Sequence, residues 1–508
     1  MKRVSDEITN EEIEKWKPGD IITIKAGVGA GKSHFIKTRL FLHAKDNNKK
    51  ILMLVHRINC LDQFQYEIQR DKRDQVIDLK TYQSIESEAK THREFDFSSY
   101  DYIVCDEFHY FMSDAGFNKY TDLSLKQILS QNSKIRILMS ATGDYMKRYL
   151  EEIKGLNPIS YPLPINFDFI HKLNFFYHNE TLEQLANQFI ENGQKAIFFI
   201  ESAKRAYELH SKFEQHSLFN CSKSNKNGYA KFVDKEKVSQ LLKKEKFEEL
   251  LLITTTTLDA GVNIHDSELN NIVVDVKDTG TLIQCIGRKR LNEKDKNDHV
   301  ELYIKAVNNR SLGQREKYLK DSLEKAQYVR KHGTQAYVEK YLKNTEDKSH
   351  IVYDNPVVKD NKVVKEINEM IYFKTKVDIS EIKEMRKKDY GYCRYIAKLF
   401  GFYIPEINYY DYKVVEEEKE KVTLEDYLDS LIGKKLLKND RNELIDKIGL
   451  KDARGRKQKG INLLNVYLMN NHIPYIIQKP PRKSYRDSNG MVKKEETYWT
   501  VGKIKYKL

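Results

Sequence analysis

The run Ile21-Ile-Thr-Ile-Lys25 leads directly into Ala26-Gly-Val-Gly-Ala-Gly-Lys-Ser33, after which helical spacing takes over. No other stretch restricts the fold so tightly. A strand that ends in a glycine-rich turn and restarts as a helix aims successive backbone N–H groups at one point, with the helix dipole behind them. Gly27, Gly29 and Gly31 permit the close approach and the φ > 0 backbone that side chains would block. Such a turn suits phosphate. Lys32 would reach the β- and γ-phosphates of a nucleotide, and the Ser33 hydroxyl would ligate Mg²⁺. Ala26 stands where the strict pattern has glycine, a departure that relaxed forms accept.

A strand–loop–helix unit needs parallel neighbours, and the sequence supplies them. Lys50–His56, Tyr102–Cys105 and Ile135–Met139 are nearly all apolar and read as buried parallel strands. Helical patterns at His34–Ala44 and Leu61–Arg70 alternate with them. Asn157–Pro164 holds three prolines and reads as a linker. The alternation then restarts with strands at Lys195–Ile200, Leu250–Thr255, Asn271–Val276 and His299–Ile304, and a helix at Ala203–Glu214. From Ser311 to Leu342 the periodicity is helical, and the run Glu416–Lys421 marks a boundary. A chain of 508 residues needs more than one core. The expected division is 1–160 and 165–308 for two α/β domains, 309–422 for a helical accessory region and 423–508 for a basic module.

Tyr102–Cys105 runs into Asp106-Glu-Phe-His109, which puts two carboxylates at the C-terminal end of a strand, where α/β sheets bind ligands. Asp106 would hold Mg²⁺. Glu107 would orient and deprotonate the water that attacks a γ-phosphate, a reaction that needs a positioned base and little covalent chemistry.

In these features the sequence resembles superfamily 2 helicases of the DEAD/DEAH-like kind, across most of residues 20–295. Asp106-Glu-Phe-His109 looks like their DExH box, and Ser140-Ala-Thr142 like the motif that couples hydrolysis to nucleic acid. The resemblance gives His109 the role of relaying nucleotide state between motifs. His56-Arg57 with Leu61 and Gln63 is similar to motif Ia, and Thr81-Tyr-Gln-Ser84 to motif Ib. Both contact the phosphate backbone in the family, which makes Arg57, Gln63 and Thr81 candidate contacts. Thr256-Thr-Leu-Asp-Ala-Gly-Val-Asn-Ile264 resembles motif V, with Thr256 facing nucleic acid and Gly261 and Asn263 at its most diagnostic positions. Gln284-Cys-Ile-Gly-Arg-Lys-Arg290 resembles motif VI. There Gln284 would contact the nucleotide side and Arg288 would act as an arginine finger. Leu291 holds the final arginine position, with Arg290 one residue earlier, so Arg290 is assigned only to the nucleotide-binding group. That Gly-Arg-x-Arg form occurs in phage and mobile-element members. The resemblance implies two tandem RecA-like domains, ATP and Mg²⁺ as cofactors, and a nucleic-acid track.

Residues 423–508 hold 19 Lys/Arg against 10 Asp/Glu, a net of +9 out of +13 for the whole chain. Helices capped at Thr423, at Asp440–Ile448 and at Gly460–Asn471 precede strands at Ile473–Ile477 and Thr497–Val501, a winged-helix outline. Its third helix would enter a major groove, and Arg482, Lys483 and Arg486 would touch backbone from the wing. DNA is the expected partner. RNA, and a role as an ATP-gated origin-binding or loading protein, remain open. No apolar run approaches the roughly 18 residues of a membrane span, and Met1–Asn10 lacks a signal-peptide core. The five scattered cysteines fit reduced thiols in the cytoplasm.

Overall fold

The computed structural model describes residues 3–504 apart from 28, 57, 91–92, 114–117, 119, 223–226, 257–262, 293–294, 296–297, 343–348, 350, 360–361, 388–389, 453–455, 482–483, 487–490 and 495. Two compact units divide the chain, 1–412 and 413–508.

The first unit contains two parallel sheets. Strands β1 (Ile21–Lys25), β2 (Ile51–Val55), β3 (Ile77–Thr81), β4 (Tyr102–Cys105), β5 (Ile135–Ser140) and β6 (Ile159–Pro162) lie in the order β3-β2-β4-β5-β1-β6. Every pair is parallel. Because side chains alternate along a strand, each strand feeds two cores. Ile22, Ile24, Met53, Val104 and Ile137 face one core, which also holds Val4, Ile8, Ile13 and Trp16 from the N-terminus. Leu52, Leu54, Ile103, Cys105 and Leu138 face the other. The three strands that carry the candidate motifs, β4, β5 and β1, are neighbours, so the sheet brings the phosphate loop, the acidic pair and Ser140-Ala-Thr142 to one edge. Helix α1 (Asp144–Arg148) follows that last motif. The segment expected to be a linker contains β6. Pro162 fits there because the outer side of an edge strand needs no backbone donor.

The second sheet takes β7 (Ile170–Phe176), β8 (Lys195–Ile200), β9 (Ser217–Asn220), β10 (Leu251–Thr254), β11 (Leu269–Asp275) and β12 (Val300–Lys305) from this unit, in the order β7-β12-β11-β8-β10-β9, all parallel. After β11 comes α2 (Thr279–Ile286), with Asp278 as its N-cap. The accessory region then returns to the first sheet. Helix α3 (Asn309–Tyr341) is broken at Gly333, where φ is 79°. It contributes Ala326, Val329 and Tyr337 to the first domain's core, and α4 (Glu369–Met385) adds Met370, Ile371, Tyr372, Phe373 and Val377. An antiparallel hairpin, Val352–Lys359 with Lys362–Ile367, joins them.

The second unit has its own core. Helices α5 (Val415–Leu431), α6 (Lys438–Ile448) and α7 (Ile461–Asn470) pack Leu428, Leu444, Leu464 and Leu468 against Tyr475, Ile477, Trp499 and Val501. Tyr475–Gln478 pairs antiparallel with Thr500–Lys503, and a bridge from Leu436 to Trp499 adds a short third edge. The unit's order, three helices and then a short antiparallel pair, is the one expected from the sequence. Its first helix starts at Val415 rather than at Thr423, so the acidic–basic run read as a boundary lies inside α5. Glu416, Glu417 and Glu418 fall in its first turn, where the helix dipole favours acids.

Candidate nucleotide site between two parallel sheets

The phosphate loop leaves β1 at Lys25 and re-enters helix at Lys32. Gly29 and Gly31 both sit in the left-handed region, at φ 85° and 82°. Lys32 is buried, and its Nζ donates to the carbonyls of Ala26 (3.0 Å) and Gly27 (3.4 Å), so the ammonium lies folded across the loop. Ser33 is half-buried in the first helical turn.

Asp106 and Glu107 lie beside it. Asp106 is 8% exposed, its N–H donates to Leu54 O, and its carbonyl accepts from the buried Tyr82 hydroxyl at 2.9 Å. Burial, and then the neighbouring Glu107 carboxylate, push the Asp106 carboxyl up to about 7, against the pull of Lys32. Burial works the same way on Glu107. There Lys32, His109 and Arg288 together outweigh it and hold the carboxyl below the usual range. The backbone of Glu107 is left-handed, φ 49°, a conformation that costs a non-glycine residue about 1–2 kcal/mol. Strain of this kind persists where the surroundings force it, and functional sites are where it collects. Asp106 Oδ1 and Thr142 Oγ1 are buried without a hydrogen-bond partner.

His109 links the acidic pair to the next motif. Its Nδ1 is 2.9 Å from Ser140 Oγ and 3.2 Å from Glu107 Oε2, and Ser140 Oγ accepts from the Thr142 N–H at 3.0 Å. Phe108 closes over Gly143: a Cβ there would stand 2.7 Å from Phe108 Cε1. The sequence assigned no role to Gly143 or Tyr82. A glycine directly after Ser140-Ala-Thr142, and an aromatic after Thr81, were the available signals.

The second domain contributes α2 and the residues after it. Arg288 is 4% exposed, and its Nε and Nη2 donate to the carbonyl (3.1 Å) and Oε1 (2.8 Å) of Gln284. Gln284 Nε2 is buried without a partner. Arg290 reaches further. Its Nε and Nη2 both donate to Asn263 Oδ1, at 2.8 and 2.5 Å, and its Nη1 lies 3.6 Å from the point where a Cβ on Gly29 would be. A cavity of about 360 Å³ separates the two sides, lined among others by Gly27, Gly29, Ala141, Ile283, Gly287 and Arg290.

The structure therefore gathers Gly27, Gly29, Gly31, Lys32, Ser33, Asp106, Glu107, Gln284, Arg288 and Arg290 about one cleft. The remaining candidates fall elsewhere. Thr81 ends β3, and its hydroxyl accepts from the Ser84 N–H at 3.2 Å, which caps the following helix. Thr256 is half-buried just past β10. Arg486 is exposed in the short strand Ser484–Arg486. Arg57, Gly261, Arg482 and Lys483, and the side chain of Gln63, lie outside the described residues. The exposed face of α7 presents Leu463, Val466 and Met469 at about half exposure or more, and the helix carries no charged residue. It brings no cation to a phosphate. The lysines and arginines of the second unit lie outside this helix, among them Lys438, Arg441 and Lys447 in α6 and Arg486 and Lys503 in strands.

Residues 65–144 match the family model for the type III restriction enzyme, res subunit. No curated protein sequence matches the chain. Among solved structures the chain is similar to Mss116p bound to ssRNA and AMP-PNP, at 16% identity over 60% of this chain and 69% of that one, with a TM-score of 0.43. It is also similar to the DUF1998 helicase MrfA bound to DNA and AMPPNP, at 14% identity over 61% and 49%, TM-score 0.43. A third is a fragment of a putative HsdR subunit of a type I restriction enzyme from Vibrio vulnificus YJ016, at 16% identity over 58% and 61%, TM-score 0.38. Likenesses this remote transfer no activity. The family match covers β3, the acidic pair and Ser140-Ala-Thr142. A phosphate loop on one parallel sheet therefore faces, across one cleft, the arginines that follow α2 on the other, and the part of the first sheet that bears the acidic pair is similar to the type III restriction enzyme res subunit.

Proposed function

We propose that this chain is an ATP-dependent DNA helicase or translocase. The observation that carries the reading is Arg290 Nη1 over Gly29: a cation from the second sheet stands at the phosphate loop of the first. Lys32 and the loop N–H groups would bind the β- and γ-phosphates. Asp106 and Ser33 would hold Mg²⁺, an ion that takes one or two protein oxygens beside phosphate oxygens, and the partnerless, buried Asp106 Oδ1 fits that demand. Bound there, Mg²⁺ would neutralise charge on the β- and γ-oxygens. Glu107, held ionised by Lys32, His109 and Arg288, would accept a proton from the attacking water. Arg288 and Arg290 would stabilise the charge that spreads over the transferring phosphoryl group, and do so only with the cleft closed. His109 and Ser140 would pass the state of Glu107 to Thr142 and α1. Repeated closing and opening of the cleft, with each domain gripping the strand, would become stepping.

DNA is preferred over RNA because the second unit has a winged-helix outline and residues 423–508 carry a net +9. The basic segments 451–459 and 479–494, rather than α7, would meet phosphate. One observation favours a second reading. The apolar face of Leu463, Val466 and Met469 suits a protein partner, as in an ATP-gated loader with little unwinding. Strand-displacement assays on tailed DNA and RNA duplexes with ATP separate the cases. Unwinding of DNA alone supports the helicase reading, unwinding of RNA alone moves the track to RNA, and ATP turnover without displacement favours the loader.

A further inference from the structure

Helix α4 is anchored in the first domain, where its apolar residues share a core with Leu52, Ile103 and Leu138. Its polar face nevertheless reaches the second domain. Lys374 Nζ donates to Asp278 Oδ1 at 2.7 Å and to Asp378 Oδ1, one turn along α4, at 2.9 Å. Asp278 in turn caps α2: its Oδ2 accepts from both the N–H and the hydroxyl of Thr281 at 2.9 Å. Arg315 of α3 stands 3.5 Å from Asp378 and donates to Lys277 O at 3.4 Å. Seven residues beyond Lys374, Glu381 accepts from the hydroxyls of Tyr145 in α1 and of Tyr395. Between these two sets of bonds lies a cavity of about 470 Å³ whose wall includes His109, Thr142, Asp278 and Glu381.

Seven residues make close to two helical turns, about 10 Å along the axis, so Lys374 and Glu381 share one face of α4. One end of that face holds the element that follows Ser140-Ala-Thr142. The other holds the cap of the helix bearing Gln284 and leading to Arg288. Helix α2 is eight residues long, about 12 Å, and too short to absorb a shift at its cap before Arg288. Since α4 moves with the first domain, the bond from Lys374 to Asp278 crosses to the second domain at the point where α2 begins. Burial disfavours the charge on Lys374, but Asp278 and Asp378 outweigh it and hold the ammonium above the usual lysine range.

We propose that Lys374 is a positioning residue for hydrolysis: by gripping the Asp278 cap it sets where α2, and with it Arg288 and Arg290, stands over the phosphate loop. The proposal rests on the reading of those arginines as charge stabilisers.

The test compares Lys374→Met, which keeps the apolar stem, with Lys374→Arg in the full chain. ATP turnover with saturating nucleic acid, the KM for ATP and the thermal midpoint are read together. Misplacing a group by about 1 Å can cost on the order of 10²-fold, so Lys374→Met should lower kcat by about 10-fold or more, with KM within about twofold. Its thermal midpoint should fall only modestly, because Asp278 keeps both bonds from Thr281 and Arg315 still neutralises Asp378, and Lys374→Arg should restore most of the rate. An unchanged kcat in Lys374→Met overturns the proposal. So does a loss of rate with a lowered midpoint that Lys374→Arg leaves unrestored, which would make Lys374 a packing residue. If the wild-type chain turns over no ATP with any nucleic acid, the functional reading fails separately. The grip is then judged from the distance between spin labels at Leu42→Cys and Leu242→Cys, both exposed, one in each domain. A distribution that broadens in Lys374→Met sustains it, and an unaltered one overturns it.

Discussion

Arg290→Met deletes a guanidinium while keeping an unbranched stem, and the structure gives the size of both effects. Burial, and then Arg288 alongside, lower the Arg290 pKa from 12.5 to about 10, with Glu107 and Glu245 pulling the other way. That difference, 12.5 − 10, corresponds to about 3 kcal/mol held against the charged form in the ligand-free protein. Two donations to Asn263 Oδ1, at about 1.5 kcal/mol each, offset nearly all of it. The substitution should therefore be neutral for stability within about 1 kcal/mol. Hydrolysis should behave differently: an arginine that stabilises the transferring phosphoryl group is worth about 10³–10⁵ in kcat. Denaturant unfolding of the free protein and single-turnover hydrolysis, run on the same variant, separate the two quantities. A variant that loses more than about 2 kcal/mol yet hydrolyses normally would show that Arg290 only braces Asn263. Arg288→Met provides the comparison, because its guanidinium is spent on Gln284 and more deeply buried. Should it abolish hydrolysis while Arg290→Met spares it, the assignment drawn from the position over Gly29 is reversed.

Three further outcomes follow from particular contacts. Gly143→Ala would bring a Cβ to 2.7 Å from Phe108 Cε1, so it should cost about 1–3 kcal/mol and slow turnover by shifting Phe108, which lies between Glu107 and His109; equal stability and rate would contradict the packing described. Asp122 is pushed up to about 6, by burial first and then by Glu366 and Glu86, so its protonated form suits the fold and its ionisation costs stability as pH rises through 6. Asp122→Asn should raise the thermal midpoint at pH 8, by at most about 3 kcal/mol in stability, and have no such effect near pH 3.5; a pH-independent effect would rule this out. Replacing Arg482, Lys483 and Arg486 with Gln should weaken duplex binding and reduce the slope of log affinity against log salt by about 0.9 for each phosphate no longer neutralised, and an unchanged slope would remove the wing from the interface.

The interiors of both sheets were legible because strands buried on two faces are nearly all apolar, as in Ile51-Leu-Met-Leu-Val55 and Lys195-Ala-Ile-Phe-Phe-Ile200. Within these two sheets the strands of residues 1–412 that escaped notice, β3, β6, β7 and β9, are the outermost ones which that unit contributes to each sheet. An outer strand tolerates the polar alternation of Ile77-Asp-Leu-Lys-Thr81 or the proline at 162, which blurs its pattern. Contiguous motifs placed the phosphate loop and the acidic pair. Contacts between distant segments were hidden: Asn263 with Arg290, Tyr82 with Asp106, and Lys374 with Asp278 join residues whose spacing carries no pattern. The apolar face of α7 was hidden for another reason. The net charge of residues 423–508 describes the region as a whole, and none of that charge lies on this helix.

Hydrolysis occurs at Glu107 in this proposal and answers to nucleic acid. It is tested most directly by ATP turnover of the wild-type chain, Lys32→Ala and Glu107→Gln, each alone and with single-stranded DNA, duplex DNA and RNA. Wild-type turnover should rise with at least one nucleic acid. Lys32→Ala should fail to bind nucleotide, whereas Glu107→Gln should bind ATP normally but turn over about 10²–10⁴-fold more slowly, as removal of a positioned base does. Wild-type rates that ignore every nucleic acid, or normal turnover by Glu107→Gln, would contradict it.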